Sequence, residues 1–163
     1  MTPDMPRFEP KDPDYLRAAT AIFDGQQAMR SFGISIVRLA AGEVELSMPY
    51  SLNWTQQNGF VHAGVISAGL DTACGIAAAT LMPPGCDILT VEFKTNLLAP
   101  ARGERFAFRA RVVRPGRRLT VCEASAFAQA GGVEGLIATM TGTLMALTRR
   151  EPANPQDRAA AAT

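Results

Sequence analysis

The sequence predicts an α+β domain in which one long helix packs against a twisted antiparallel sheet. Between residues 61 and 82, His62 and Asp71 are the only ionisable side chains apart from cysteine, and the rest are small or apolar. Such a composition is typical of a helix that is buried nearly all round. A turn at Pro83-Pro84-Gly85 ends this segment, and alternating apolar and polar residues predict strands before and after it.

The elements follow in a simple order along the chain. Four prolines predict an extended arm over residues 1–14. Asp12 and Pro13 are typical of an N-cap and a first helical position, and apolar side chains at helical spacing predict one amphipathic helix that ends near Gly33. Strands are expected over residues 34–39, 43–48, 88–98, 104–114, 119–130 and 133–147. The domain therefore covers residues 15–148, and an alanine-rich, disordered tail is expected over residues 149–163.

The composition limits the classes of binding partner that are expected. The 163 residues suit one domain, and the formal net charge of +1 gives no reason to expect nucleic acid or an anionic membrane as partner. The apolar segment 61–82 is rich in Ala and Gly and carries a central carboxylate, so a membrane span is not expected. The three cysteines lack metal-ligand spacing and no secretory leader is evident, so we expect no metal site and a cytoplasmic location.

Asp71 is the residue that most requires explanation. A buried, unpaired carboxylate costs several kcal/mol, so Asp71 either lies on a solvated edge of the helix or has a function. Nine helical steps place it about 13 Å from His62 on the opposite face, so one helix cannot bring both to one substrate. The amides of Ala63 and Gly64 at the helix start can stabilise an oxyanion, and two antiparallel helices across a two-fold axis would bring them to Asp71. This geometry predicts a site shared by two subunits.

The motifs resemble those of hotdog-fold acyl-CoA thioesterases, in particular the phenylacetate-degradation (PaaI) branch. The resemblance spans about residues 34–147 and is carried by Phe60-Val61-His62-Ala63-Gly64, by Asp71 downstream, and by later segments at residues 89–94, 98–100 and 114–118. It implies a long central helix wrapped by a twisted antiparallel sheet, here with an extra N-terminal helix. Ala63 stands where the family motif has its first glycine.

The resemblance implies hydrolysis of an aromatic or a medium- or long-chain acyl-CoA at the interface of a homodimer, which can pair into a dimer of dimers. The carbonyl would accept from Ala63 or Gly64 and from Gln56 or Asn58. Asp71 of the other subunit would attack the carbonyl or activate a water. The remaining roles are secondary: Thr90 would hold that water, and His62 would orient the loop.

The arginine-rich turn at residues 114–118 is a candidate phosphate-binding site. We expect Arg114, Arg117 and Arg118 either to bind the phosphates of coenzyme A or to be plain surface charge. Coenzyme A enters only as part of the substrate, and no other cofactor is expected. Phe23, Met29 and Phe32 belong to the apolar stripe of the N-terminal helix, which either packs in the core or helps to line the acyl pocket. The alternatives are another hotdog enzyme, such as a dehydratase or hydratase, and a non-catalytic acyl-CoA-binding module.

Overall fold

The computed structural model describes residues 8–148, which form three α-helices, one short 3-10 helix (Leu52–Trp54) and six strands. The first seven residues of the expected arm and the expected tail lie outside this range. The helices are α1 (Tyr15–Asp24), α2 (Gln27–Phe32) and α3 (Ala63–Ala79). The strands are β1 (Ser35–Ala40), β2 (Glu43–Pro49), β3 (Cys86–Leu97), β4 (Arg105–Pro115), β5 (Leu119–Ala130) and β6 (Val133–Thr148).

All six strands form one antiparallel sheet in the order β1-β2-β4-β5-β6-β3. The sheet wraps around α3, which contacts β2, β3, β4, β5 and β6. The core lies between them and includes the fully buried side chains Leu46, Ile66, Leu70, Ile76, Phe106, Phe108, Met140 and Leu144. The predicted α+β class and the hotdog arrangement are therefore confirmed.

Close contact between α3 and the sheet depends on a glycine. A Cβ built on Gly69 would lie 2.5 Å from the Phe108 ring, which is far inside van der Waals distance. A side chain at this position would push the helix away from β4. The abundance of small residues in α3 is thus a packing requirement of the fold.

The sequence interpretation is wrong mainly in the N-terminal region, where it predicted one helix. The predicted single helix is broken at Gly25 and Gln26, and Gln26 has an extended backbone (φ −84°, ψ 100°). Its side-chain oxygen accepts a 3.1 Å hydrogen bond from the hydroxyl of Thr72 in α3, a tertiary contact that local spacing cannot reveal. The start of the helix lies two residues later than predicted, at Tyr15, although the Asp12 carboxylate accepts from the Asp14 N–H as an N-cap side chain does.

The end of that region was predicted correctly. Gly33 follows α2 with a left-handed backbone (φ 69°), which suits glycine because it lacks a Cβ. Its N–H donates to Arg30 O, and the next N–H, of Ile34, donates to Met29 O. These bonds satisfy the last carbonyls of α2 before the chain enters β1.

Candidate active site

One open stripe runs along α3. Its half-buried residues include Ser67, Ala68, Asp71 and Gly75, spaced by three or four positions, whereas the opposite side is buried in the core. The helix is therefore not buried nearly all round, as the composition suggested. Asp71 lies on this open stripe, where its carboxylate escapes the full cost of desolvation.

Asp71 is held by the edge strand. The Thr90 hydroxyl donates a 2.7 Å hydrogen bond to Asp71 Oδ1, and within residues 8–148 the other carboxylate oxygen has no hydrogen-bond partner. The β3–β6 register shifts between Thr90 and Glu92, so Val91 is an extra residue next to this contact. Bulges of this kind re-aim side chains, and they are common beside active sites.

His62 caps the central helix. Its Nδ1 accepts a 2.9 Å hydrogen bond from the Gly64 N–H, so the neutral ring carries its proton on Nε2. The Gly64 amide is thus already occupied. By contrast, the Ala63 N–H donates to no atom of residues 8–148 and is available to an oxyanion.

The loop before α3 orients Gln56. Its Oε1 accepts from the Asn58 N–H, which leaves the Gln56 NH2 group as a donor. The loop is fixed further by the Trp54 carbonyl, which accepts from the His62 N–H at 2.8 Å. Asn58 is exposed and contributes its backbone N–H to this contact, so of the two candidate side-chain donors it is Gln56 that the loop orients.

Gln56 and Ala63 share a cavity of about 490 Å³ at the start of α3. Its other lining residues are all apolar: Phe60, Val61, Ile66, Leu97, Leu98, Ala99, Pro100, Ala101 and Ile137. Asp71 does not line it, since eight helical steps separate Asp71 from Ala63 by about 12 Å. A single chain does not bring the carboxylate and the two donors together.

The arginines fall into two groups. Arg109 forms ion pairs with Glu45 and Glu134 across the sheet, and Arg111 pairs with Glu123. The hydrogen bond with Glu134 raises the pKa of Arg109, and the same contact lowers the pKa of Glu134. The three arginines around the β4–β5 turn are exposed and form no ion pair within residues 8–148: Arg114, Arg117 and Arg118.

The predicted acyl-pocket residues separate in the structure. Phe23 and Met29 line a second cavity, between the N-terminal helices and β1. Phe32 instead packs edge-on against Trp54 with ring centroids 5.0 Å apart, and it lines neither cavity. The sequence interpretation missed Leu97 and Ile137 at the cavity beside Ala63, because they come from strands far from α3 in the sequence.

Two cysteines belong to the core. Burial raises the pKa of Cys122 to about 12 and raises the pKa of Cys74 far above its usual range. Both thiols are therefore neutral and inert at physiological pH. Within residues 8–148 no helix is long and apolar enough to cross a membrane.

Comparisons with known proteins identify the family. Residues 58–134 match the model of the thioesterase superfamily. The crystal structure of a thioesterase family protein from Silicibacter pomeroyi is 54% identical, covers 83% of this chain and 99% of its own, and superposes with a TM-score of 0.82.

The chain belongs to the thioesterase superfamily.

This superfamily member is a thioester hydrolase, as the sequence predicted. It is also 32% identical over 120 residues to a candidate esterase from Halobacterium salinarum, spanning 70% of this chain and 79% of that protein. The PaaI protein of the Escherichia coli phenylacetic acid degradation operon superposes with a TM-score of 0.71, covering 82% of this chain and 94% of its own. Its sequence identity is 16%, so this likeness shows the shared fold alone.

Proposed function

We propose that the protein hydrolyses acyl-CoA thioesters at a site shared by two subunits. The observation that carries this proposal is the division of the reactive groups within one chain. Ala63 and Gln56 line one apolar cavity, whereas Asp71 lies about 12 Å from Ala63 on the open stripe of α3, where Thr90 of β3 holds it. Two antiparallel α3 helices bring the donors of one subunit to the carboxylate of the other.

The edge strand β3 supports the association of two subunits. It is twelve residues long, pairs with β6 alone among the described strands, and exposes Leu89, Val91, Phe93 and Leu97. A long, apolar, unpaired edge is a site for pairing with another strand. The opposite edge, β1, is six residues long, has an irregular register after Ile36 and carries Arg38, all of which discourage pairing.

The helices can approach closely at the same interface. If Ala63 of one subunit faces Asp71 of the other, the two-fold axis passes beside residue 67, midway between them. Ser67 and Ala68 lie there on the open stripe, and their small side chains allow close contact. The same symmetry produces two sites in each homodimer.

In each site the thioester carbonyl accepts hydrogen bonds from the Ala63 N–H and the Gln56 amide. Asp71 of the other subunit takes a proton from water as the hydroxyl oxygen adds to the carbonyl carbon. The tetrahedral intermediate collapses, the C–S bond breaks, and the coenzyme A thiolate leaves and takes up the proton. Thr90 occupies Asp71 Oδ1 and leaves the other oxygen for the water. One oxyanion donor of this kind commonly contributes about 10²- to 10³-fold in rate.

The exposed arginines support coenzyme A as the carrier of the acyl group. Arg114, Arg117 and Arg118 have no carboxylate partner within residues 8–148, in contrast to Arg109 and Arg111. Guanidinium groups bind phosphates through paired hydrogen bonds. The apolar cavity beside Ala63 is of the size expected for an aromatic or medium-chain acyl group.

The experiment is thiol release from a panel of aromatic and aliphatic acyl-CoAs, with the natural protein and Asp71→Asn compared. We expect hydrolysis by the natural protein and a loss of about 10²-fold or more in the variant, since general base catalysis contributes at least this much. Size-exclusion chromatography checks that the variant keeps its oligomeric state. Absence of thiol release from every acyl-CoA would contradict the proposal.

A further inference from the structure

A second cavity, of about 550 Å³, lies between the N-terminal helices and β1. Its walls include Phe23, Met29 and Ile34, which are 8%, 4% and 5% exposed, together with Ile36 from β1. None of its lining residues lines the cavity beside Ala63. Its volume lies within the range of small-molecule sites, and its walls suit an apolar tail.

Polar groups occur at the rim of this cavity. The Arg30 guanidinium donates to the Asp24 backbone carbonyl and forms no ion pair within residues 8–148. Gln26 uses its Oε1 to accept from Thr72, which leaves its NH2 group as a donor. Asp24 also lines the cavity, so an anion must bind away from the Asp24 carboxylate, on the side of Arg30 and Gln26.

From these features we infer that the α1–α2 cavity binds a free carboxylic acid with an apolar tail. The tail packs among Phe23, Met29 and Ile34, and the carboxylate accepts from the Arg30 guanidinium and the Gln26 amide. Such acids are the products of the hydrolysis proposed above, and that identification as a product rests on the proposed function. The binding itself does not depend on it.

The test is a titration of the natural protein with octanoate, monitored both by isothermal titration calorimetry and by methyl NMR. The Ile34 and Ile36 methyl groups report on this cavity, while those of Ile66 and Ile137 report on the cavity beside Ala63. We expect octanoate to shift the Ile34 and Ile36 signals at saturation. Arg30→Gln should lower the affinity for octanoate about tenfold, because roughly one charge-assisted hydrogen bond is lost. Octanol, which has the same tail and no charge, should bind less tightly.

Arg17→Gln is the matched control, because Arg17 is an exposed arginine of α1 that pairs with Asp14 outside the cavity. It should leave octanoate binding unchanged. Shifts confined to Ile66 and Ile137, or equal affinity in Arg30→Gln and the natural protein, would overturn the inference. If the protein released no thiol from acyl-CoAs yet octanoate still shifted Ile34 and Ile36, the proposed function would fail and this site would stand.

Discussion

The Thr90 hydroxyl donates a 2.7 Å hydrogen bond to Oδ1 of Asp71, which ties the open stripe of α3 to the edge strand β3. The two residues are 19 positions apart in the chain, and the contact fixes one oxygen of the carboxylate. The other oxygen has no hydrogen-bond partner within residues 8–148.

Thr90→Val should lower kcat with little change in KM, because the substituted side chain no longer orients Asp71. Misplacement of a catalytic group on the scale of 1 Å commonly costs up to about 10²-fold in rate. Thr90→Ser keeps the hydroxyl and should retain most of the activity. Thr141→Val, at an exposed position of β6, is the control and should behave like the natural protein. Equal kcat values for the Val and Ser variants at position 90 would contradict this role.

Phosphate binding by the arginines of the β4–β5 turn can be tested with two substrates that differ only in the nucleotide. Replacing Arg117 and Arg118 by Gln should raise KM for acyl-CoA about tenfold, since hydrogen bonds between charged groups are lost. The same variant should hydrolyse a truncated thioester that lacks the phosphates at the natural rate.

Arg111→Gln provides the control for that experiment, because Arg111 is already paired with Glu123. Its KM for acyl-CoA should stay unchanged. If Arg111→Gln and the turn variant raised KM equally, general surface charge would explain the effect better than a phosphate site.

Gly69 and Gly75 of α3 should respond in opposite ways to alanine. Gly69→Ala places a Cβ 2.5 Å from the Phe108 ring and should lower the free energy of unfolding by about 1–3 kcal/mol. At Gly75 a Cβ meets no atom within 4 Å, so Gly75→Ala should raise that free energy by up to about 1 kcal/mol through helix propensity. Urea denaturation measures both, and equal losses in the two variants would refute the packing account.

The buried thiols predict a loss of stability at alkaline pH. The pKa of Cys122 is raised by burial from its ordinary value of 9.0 to about 12, and the pKa of Cys74 is raised further. Above pH 9 the unfolded chain releases these protons while the native chain keeps them, so the free energy of unfolding should fall as pH rises from about 9 to about 12. Each thiol contributes a slope of at most about 1.4 kcal/mol per pH unit.

Cys74→Ala tests that assignment. The variant removes one of the two buried thiols, so its stability should fall less steeply with pH than that of the natural protein. Urea denaturation at several pH values between 8 and 11 measures the two slopes. Identical slopes would show that other groups cause the alkaline loss.

Features encoded locally could be predicted from the sequence. The apolar run around Asp71 predicted the central helix, and Gly33 predicted where the N-terminal helical region ends. Asp71 was recognised as a candidate because a lone carboxylate is costly in such a segment. These inferences need only neighbouring residues.

Features that depend on distant partners could not be predicted from spacing. The break between α1 and α2 accompanies the contact of Gln26 with Thr72, which lies 46 residues away. Arg109 and Arg114 look alike in the sequence, and only the fold shows that Glu45 and Glu134 neutralise the first. Thr90 was singled out by family resemblance, since nothing in its own segment indicates Asp71.

The most direct test of the shared site is complementation between two inactive variants. Asp71→Asn lacks the base and Gln56→Ala lacks an oxyanion donor, so each homodimer should be nearly inactive. In a mixed dimer one site carries both defects, while the other combines Asp71 from one chain with Gln56 from the other and is intact. Unfolding and refolding an equal mixture should therefore restore about a quarter of the natural activity, because half of the dimers are mixed and each has one intact site. Activity no higher than the average of the two variants would contradict a site built from two subunits.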